Sequence, residues 1–210
     1  MPAAAPVVVK LGGSLMTGAN LSVLLDAIAA ARRPVAIVCG GGLFADAVRA
    51  AQHRLGFSEG LAHRLALDAM GHFAEFVAEL RPTFRLAAAP AEVWTALAAG
   101  APVLWQPAAL RAGDPAIPES WAVTSDSLAL HLAAGIGAAA LLLVKSAEPS
   151  PGADLDGLIG RGYLDQAFPA FLAGYSGIVR LLGPADHRRL GQAIGDPAAA
   201  IGTELRRARD

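Results

Sequence analysis

Apolar runs of three to five residues, each closed by turn residues, alternate along this chain with longer segments whose apolar positions recur every three or four residues. Runs of the first kind read as strands buried on both faces of a parallel sheet, and segments of the second kind as helices with one buried stripe. Val7–Leu11, Val35–Cys39, Val103–Trp105 and Ile178–Leu182 are predicted strands, with a short one near residues 84–86 and another through Leu141-Leu142-Leu143-Val144 that delivers Lys145. Helical spacing covers residues 21–32, 43–55, 93–98, 127–134, 163–172 and 186–194, and a last short segment covers 199–203. The longest helix carries Leu61, Leu65, Leu67, Met70, Phe73, Phe76, Val77 and Leu80, and Arg81-Pro82 ends it. Residues 106–121, with three prolines and a glycine, are a predicted loop, as are residues 146–162, rich in Gly, Pro and Asp. Loops of the latter length in compact domains are usually functional or mobile. Alternating strands and helices predict an α/β fold with helices on both faces of the sheet.

Composition narrows this picture. A chain of 210 residues with 54% hydrophobic and 17% charged residues supports one large core, so residues 1–210 are expected to form a single domain. The formal net charge is −1, and the densest basic cluster is the tail Arg206-Arg207-Ala208-Arg209, read as a solvated helix end; nucleic acid lacks its usual electrostatic footprint. The single Cys39 excludes an internal disulfide framework and a multi-cysteine zinc site and points to a reducing cytoplasm. As the last residue of an apolar strand it is expected in the core rather than as a reactive thiol. No apolar run approaches the roughly 20 residues that span a bilayer, so no membrane partner is expected. Phe73, Phe76 and Val77 belong either to the core or to a dimer face, and a homo-oligomer, dimer or higher, is expected.

Only two of the 17 Lys and Arg residues are lysine, and each closes an apolar strand run: Val7-Val8-Val9-Lys10 and Leu141-Leu142-Leu143-Val144-Lys145. Ligands of parallel sheets gather at the carboxyl ends of the strands, so two compact ammonium groups converge where phosphates bind. Lys10-Leu11-Gly12-Gly13-Ser14 lets bare backbone N–H groups approach an anion while Lys10 adds full charge. Gly40-Gly41-Gly42 repeats the device after the second strand, at a helix N-terminus whose dipole favours negative charge. Neither loop matches the P-loop pattern. Gly135-Ile136-Gly137-Ala138-Ala139-Ala140 fits a dinucleotide fingerprint formally, but it follows a helix and precedes a strand, and so is a connection. His72, His131 and His187 lack metalloenzyme spacing, and no protein-held metal site is assigned.

Taken together, Lys10 to Ser14, Gly40 to Gly42 and Asp126 within Trp121-Ala122-Val123-Thr124-Ser125-Asp126-Ser127 resemble the amino acid kinase superfamily, the group of aspartate, glutamate and uridylate kinase-like proteins. The resemblance runs nearly the whole chain, to Gly202-Thr203. It implies a three-layer α/β/α sandwich with a mostly parallel central sheet, and phosphoryl transfer from ATP with Mg²⁺. It further implies Lys10, Asp126 and Lys145 as the catalytic set. Lys10 neutralises the transferring group, Gly12, Gly13 and Gly41 give it N–H donors, and Asp126 holds the lysines in place rather than acting as a base. Asp126 is also a plain helix N-cap candidate, and the roles are compatible. Many superfamily members take a second lysine from a segment further on. No lysine follows residue 145 here, and Lys145 is expected to fill that role.

Within the superfamily, residues 40–49, 62–70 and 143–146 resemble a small branch that includes the kinase of methanofuran-type cofactor synthesis, which makes a diphosphate from an aminomethylfuran-methyl phosphate. The expected activity is thus ATP-dependent phosphorylation of a small molecule that is already a phosphate monoester. The alternatives are a carboxylate or nucleoside-monophosphate kinase of the same fold, or a non-catalytic nucleotide- or oxyanion-binding protein. Expected on the ATP side are Gly12, Gly13, Ser14, Ser146, Asp154 and Tyr163, with residues 146–162 as the pocket wall. On the acceptor side Gly40, Gly41, Gly42, Asp46, Arg49, His63, Arg64, Thr124 and Ser125 are expected, with a solvated helix face as the plainer reading of Asp46, Arg49, His63 and Arg64. Trp105 and Trp121 flank the proline loop, as core or as a shelf for an aromatic substrate.

Overall fold

The computed structural model describes residues 4–206, so most of the basic tail, Arg207 to Arg209, lies outside the described residues. In chain order the regular elements are β1 (Val7–Leu11), α1 (Leu21–Ala29), β2 (Val35–Cys39), α2 (Gly42–Leu55), α3 (Glu59–Leu80), β3 (Arg85–Ala87), α4 (Pro90–Ala98) and β4 (Val103–Trp105). They continue as α5 (Ser125–Gly135), β5 (Ala140–Val144), α6 (Leu155–Gly160), α7 (Phe168–Ala173), β6 (Ile178–Leu182), α8 (Leu190–Gly195) and β7 (Thr203–Glu204). The strands form one sheet of order β3-β4-β2-β1-β5-β6-β7, parallel except for the antiparallel edge strand β7.

Alternation along the buried strands divides the core in two. Val8, Ala36, Val38, Leu141 and Leu143 face α4, α5 and α7, while Val7, Val9, Leu11, Ile37, Leu142 and Val144 face α1, α8 and the C-terminal part of α3. This is the three-layer α/β/α arrangement. Lys10 shares the parity of Val8 and therefore leaves the sheet on the α5 side, where Asp126 stands in the first helical turn. From β1 the chain first builds the sheet toward β2, β4 and β3, then returns across it to lay β5 on the other side of β1. A crevice at such a reversal, outside the carboxyl ends of the strands, is the standard ligand position of open α/β sheets. Lys10 and Lys145 border it.

Local signals set most boundaries. Gly56, at φ +69°, closes α2 in the left-handed region, and the Ser58 hydroxyl caps α3 by accepting from Leu61 N–H at 3.2 Å. Four segments differ from the sequence reading. Residues 106–121 open with a 3-10 helix, Pro107–Ala112, and residues 146–162 contain α6. The helix expected over 163–172 begins only at Phe168, with Pro169 in its first turn, because Asp165 is turned toward the start of α5. The helix expected over 186–194 is a 3-10 turn, Pro184–Arg189, followed by α8. Cys39 is fully packed, and burial pushes its thiol up to about 12, which fits the core reading. Phe73 and Val77 are core, whereas Phe76 is 41% exposed. Among the described residues no helix is long and apolar enough to cross a membrane.

Candidate active site

Two strand ends, two glycine loops and one helix start build the site. The β1 loop and the β2 loop lie backbone against backbone: a Cβ on Gly13 would meet Gly42 N at 2.6 Å, and one on Gly40 would meet Gly13 N at 2.5 Å. No side chain fits between them, which is the physical reason for glycine here. Gly12 N–H donates to Val144 O at 2.9 Å and Gly40 N–H to Leu11 O at 2.8 Å, stitching both loops to the sheet. Neither N–H therefore faces an anion as expected of Gly12, whereas Gly13, Gly41 and Gly42 line the cavity. Gly42 opens α2 at φ +51°.

Asp126 stands between the two lysines. Lys10 Nζ lies 2.8 Å from Asp126 Oδ1, and Lys145 Nζ lies 2.9 Å from Oδ1 and 2.7 Å from Oδ2. Side-chain exposure is 5% for Lys10, 6% for Asp126 and 13% for Lys145, so the whole cluster is buried. Burial alone would raise the Asp126 carboxyl, but the two ammonium groups outweigh it and hold it below the usual carboxylate range. Burial, then the like charge of Lys10, lowers Lys145 to about 8 against the opposing pull of Asp126. A carboxylate with both oxygens engaged by ammonium groups is a poor proton acceptor and a good clamp.

Asp165, which sequence reasoning missed, fixes the start of α5. Its Oδ2 accepts from Thr124 N–H at 2.9 Å, Thr124 Oγ1–H at 2.8 Å and Ser127 N–H at 3.0 Å, and its Oδ1 accepts from the Ser127 hydroxyl. Thr124 precedes α5 yet makes no capping bond of its own, because a carboxylate from 41 residues away caps the helix instead. Burial and the nearby Asp126 charge raise the Asp165 carboxyl against the lowering effect of its donors. Asp-x-Ala-Phe-Pro carries no local motif that would have revealed this role.

The cavity beside the cluster has a volume of about 250 Å³, and Lys10, Gly13, Ser14, Gly41, Gly42, Asp46, Arg49, His63, Thr124 and Ser125 border it with the apolar Ala66, Leu67, Met70, Val123 and Leu128. Trp121 forms a further wall: Arg49 lies over its ring at 4.3 Å from the centroid, and its Nε1–H donates to Gln52 Oε1 at 2.6 Å. Arg49 also pairs with Asp46 at 3.6 Å, both well exposed. His63 is buried, with Nδ1–H donating to Ser120 O at 3.1 Å.

Other expected residues fall elsewhere. Arg64 pairs with Glu119 rather than lining the cavity. Trp105 is core, its Nε1–H on Ala88 O at 3.1 Å. Asp154 caps α6 through Gly157 N–H at 2.8 Å and borders a separate depression with residues 203–206, and Tyr163 donates to Glu148 O. Ser146 is exposed just beyond Lys145.

The two glycine loops and the segment around Asp126 are the features on which the resemblance rests, and the family match with known proteins covers the part of the chain that holds both loops. Residues 5–99 match the amino acid kinase family. That span contains β1, β2 and both glycine loops. A relative from Methanocaldococcus jannaschii, named [5-(aminomethyl)furan-3-yl]methyl phosphate kinase, is 31% identical over 130 residues, 60% of this chain and 58% of the relative. The match thus spans just over half of that relative's length. The likeness of fold extends further than the family match. A uridylate kinase from Archaeoglobus fulgidus superposes with a TM-score of 0.70 at 17% identity, covering 95% of this chain and 99% of that one. A UMP kinase from Bacillus anthracis superposes at 0.67 and 14% identity, covering 98% and 97%. At these identities the likeness is one of fold.

Proposed function

We propose that this chain is a small-molecule kinase that transfers the γ-phosphoryl group of Mg-ATP to a small acceptor that is itself a phosphate monoester, of the kind named for the M. jannaschii relative, as a step in cofactor synthesis. The observation that carries the reading is the Lys10–Asp126–Lys145 cluster, held at 2.7–2.9 Å beside a cavity rimmed by two glycine loops. A γ-phosphoryl group and a phosphate acceptor repel: like unit charges about 4 Å apart cost roughly 4 kcal/mol at an effective dielectric of about 20. Two ammonium groups and the N–H groups of Gly13, Gly41 and Gly42 cancel that charge, and phosphoryl transfer asks little else of a protein beyond alignment. Asp126 fixes where the ammonium groups stand, and Asp165 fixes where Asp126 stands.

The residues fit ATP as an anion. They offer no cage for a metal: the Asp126 oxygens are both engaged by lysine, and no group of three His, Cys, Asp or Glu side chains among the described residues is placed to hold one. Mg²⁺ belongs on the phosphates of ATP, where it neutralises charge between them. On the acceptor side, a cavity of about 250 Å³ with the Trp121 wall, the Arg49 guanidinium, the His63 imidazole and the Asp46 carboxylate suits a compact ring bearing a phosphate and a polar substituent. The fold likeness to uridylate kinases supports a second reading, a nucleoside-monophosphate acceptor. ADP release from Mg-ATP decides between them: aminomethylfuran-methyl phosphate is expected to be turned over and UMP not. Tight ATP binding without turnover of any phosphate, carboxylate or nucleotide acceptor would instead mark a binding protein.

A further inference from the structure

Lys145 is the first residue beyond β5, so the sheet holds only one side of its peptide. Its N–H donates to Leu182 O at 2.9 Å, continuing the ladder with β6, while its C=O lies past the last paired residues, Val144 and Leu182. That carbonyl accepts from His187 Nε2–H at 2.9 Å, and His187 Nδ1 accepts from Asn20 Nδ2–H at 3.2 Å. Both bonds are satisfied by one species, the neutral imidazole protonated at Nε2. His187 is 3% exposed and sits in the 3-10 turn Pro184–Arg189, after β6. Asn20 precedes α1, where an asparagine ordinarily caps the helix by accepting from its first turn. It makes no such bond, and its amide is directed at the imidazole.

We propose that His187, oriented by Asn20, is a positioning residue for Lys145: by fixing the Lys145 carbonyl where the sheet no longer does, it holds the ammonium group on Asp126. Lysine is a compact charge on a flexible four-carbon stem, so the accuracy of its Nζ depends on how firmly its own backbone is held. Lys10 needs no such support, since it lies within a strand paired on both sides, opposite Val38 and Leu143. The activity arm of the test rests on the kinase reading; the labelling arm does not.

His187→Phe keeps a ring and removes the donor, while His187→Gln places an amide donor near the position of Nε2. The Phe variant is expected to lose about tenfold in kcat, comparable to one hydrogen bond, with little change in the KM for ATP, and the Gln variant to recover most of the loss. Independently of turnover, competitive acetylation read by peptide mass spectrometry reports on each of the two lysines of this chain. Lys145 is expected to label several-fold faster relative to Lys10 in the Phe variant than in the wild type, and near wild type in the Gln variant, as a released side chain should. Asn20→Leu should shift labelling in the same direction and by less; its exposed site makes it the deciding variant if His187→Phe does not fold. A folded Phe variant with wild-type kcat and wild-type labelling, Gln and Phe variants equally impaired, or unchanged labelling in a sole surviving Asn20→Leu would each overturn the proposal. Absence of turnover in the wild type defeats the kinase reading, and labelling then decides alone.

Discussion

The carboxyl ends of β1 and β5 each present one lysine to the same carboxylate, yet they are built by different means. At the β1 end everything is local: Lys10 lies inside the ladder, and the glycines two and three residues on pack against the glycine loop of the adjacent strand. At the β5 end Lys145 lies outside the ladder and is followed by exposed Ser146, and its placement depends on Leu182, His187 and Asn20. One end is a motif and the other an assembly. The difference teaches that two groups with the same chemical role need not leave the same trace in a sequence.

The comparison breaks most completely at the residue both ends share. Asp126→Ala leaves two buried ammonium groups facing each other, and removing one partner of a buried ion pair costs about 3–5 kcal/mol. Urea unfolding should show a loss of that size, and turnover should fall by about a thousandfold or more, with both lysines released together. An intact fold and unchanged turnover in this variant would deny that the carboxylate organises the cluster.

Removing one lysine at a time separates the ends. Lys10→Met and Lys145→Met should each lower kcat by about a hundredfold or more, the effect of losing one strong transition-state donor. Their pH profiles of stability should differ. Burial and the like charge of Lys10 bring folded Lys145 down to about 8 from the ordinary lysine value of 10.5, so between these values the unfolded chain holds a proton that the folded chain has released, and the contribution of Lys145 to stability rises with pH through that window. Lys145→Met should abolish the rise. Lys10→Met should move its onset upward, because the like charge of Lys10 is the second cause of the Lys145 shift. Urea midpoints measured from neutral to alkaline pH check both; a rise that survives in Lys145→Met contradicts the assignment.

The smallest of these effects probes the helix between the two ends. Asp165→Asn retains one acceptor oxygen where a carboxylate served four donors, and it should cost about 1–3 kcal/mol in stability and roughly tenfold in kcat. Loss of stability with wild-type kcat would show that Asp165 caps α5 without setting the position of Asp126.

These differences map onto what was legible beforehand. The strands, the glycine loops and both lysines were readable because each is written in neighbouring residues, an apolar run, a pair or triplet of glycines, a charge at the run's end, while Asp126 was legible through the resemblance of residues 121–127. The halving of the two C-terminal helices was not, because Pro169 and the turn at Pro184–Arg189 act within segments whose apolar spacing is still helical. Arg64 shows the same limit, since spacing left it open between the acceptor side and a solvated helix face. Its spacing put it beside His63, but only the placement of Glu119 determined that it is engaged in an ion pair away from the cavity. The tryptophans divided likewise, Trp105 into the core under Ala88 and Trp121 to the cavity wall under Arg49.

The sequence by itself determined the layered α/β architecture and the collection of two ammonium groups and two glycine loops at one edge of the sheet, since hydrophobic period and strand-end position are properties of adjacent residues. The tertiary structure alone decided that Asp165 caps α5 from 38 to 41 residues away and that His187 and Asn20 secure the Lys145 carbonyl. Hydrogen bonds and ion pairs act over about 3 Å in space without regard to separation along the chain, and no local pattern encodes which distant partners the fold will bring within that reach.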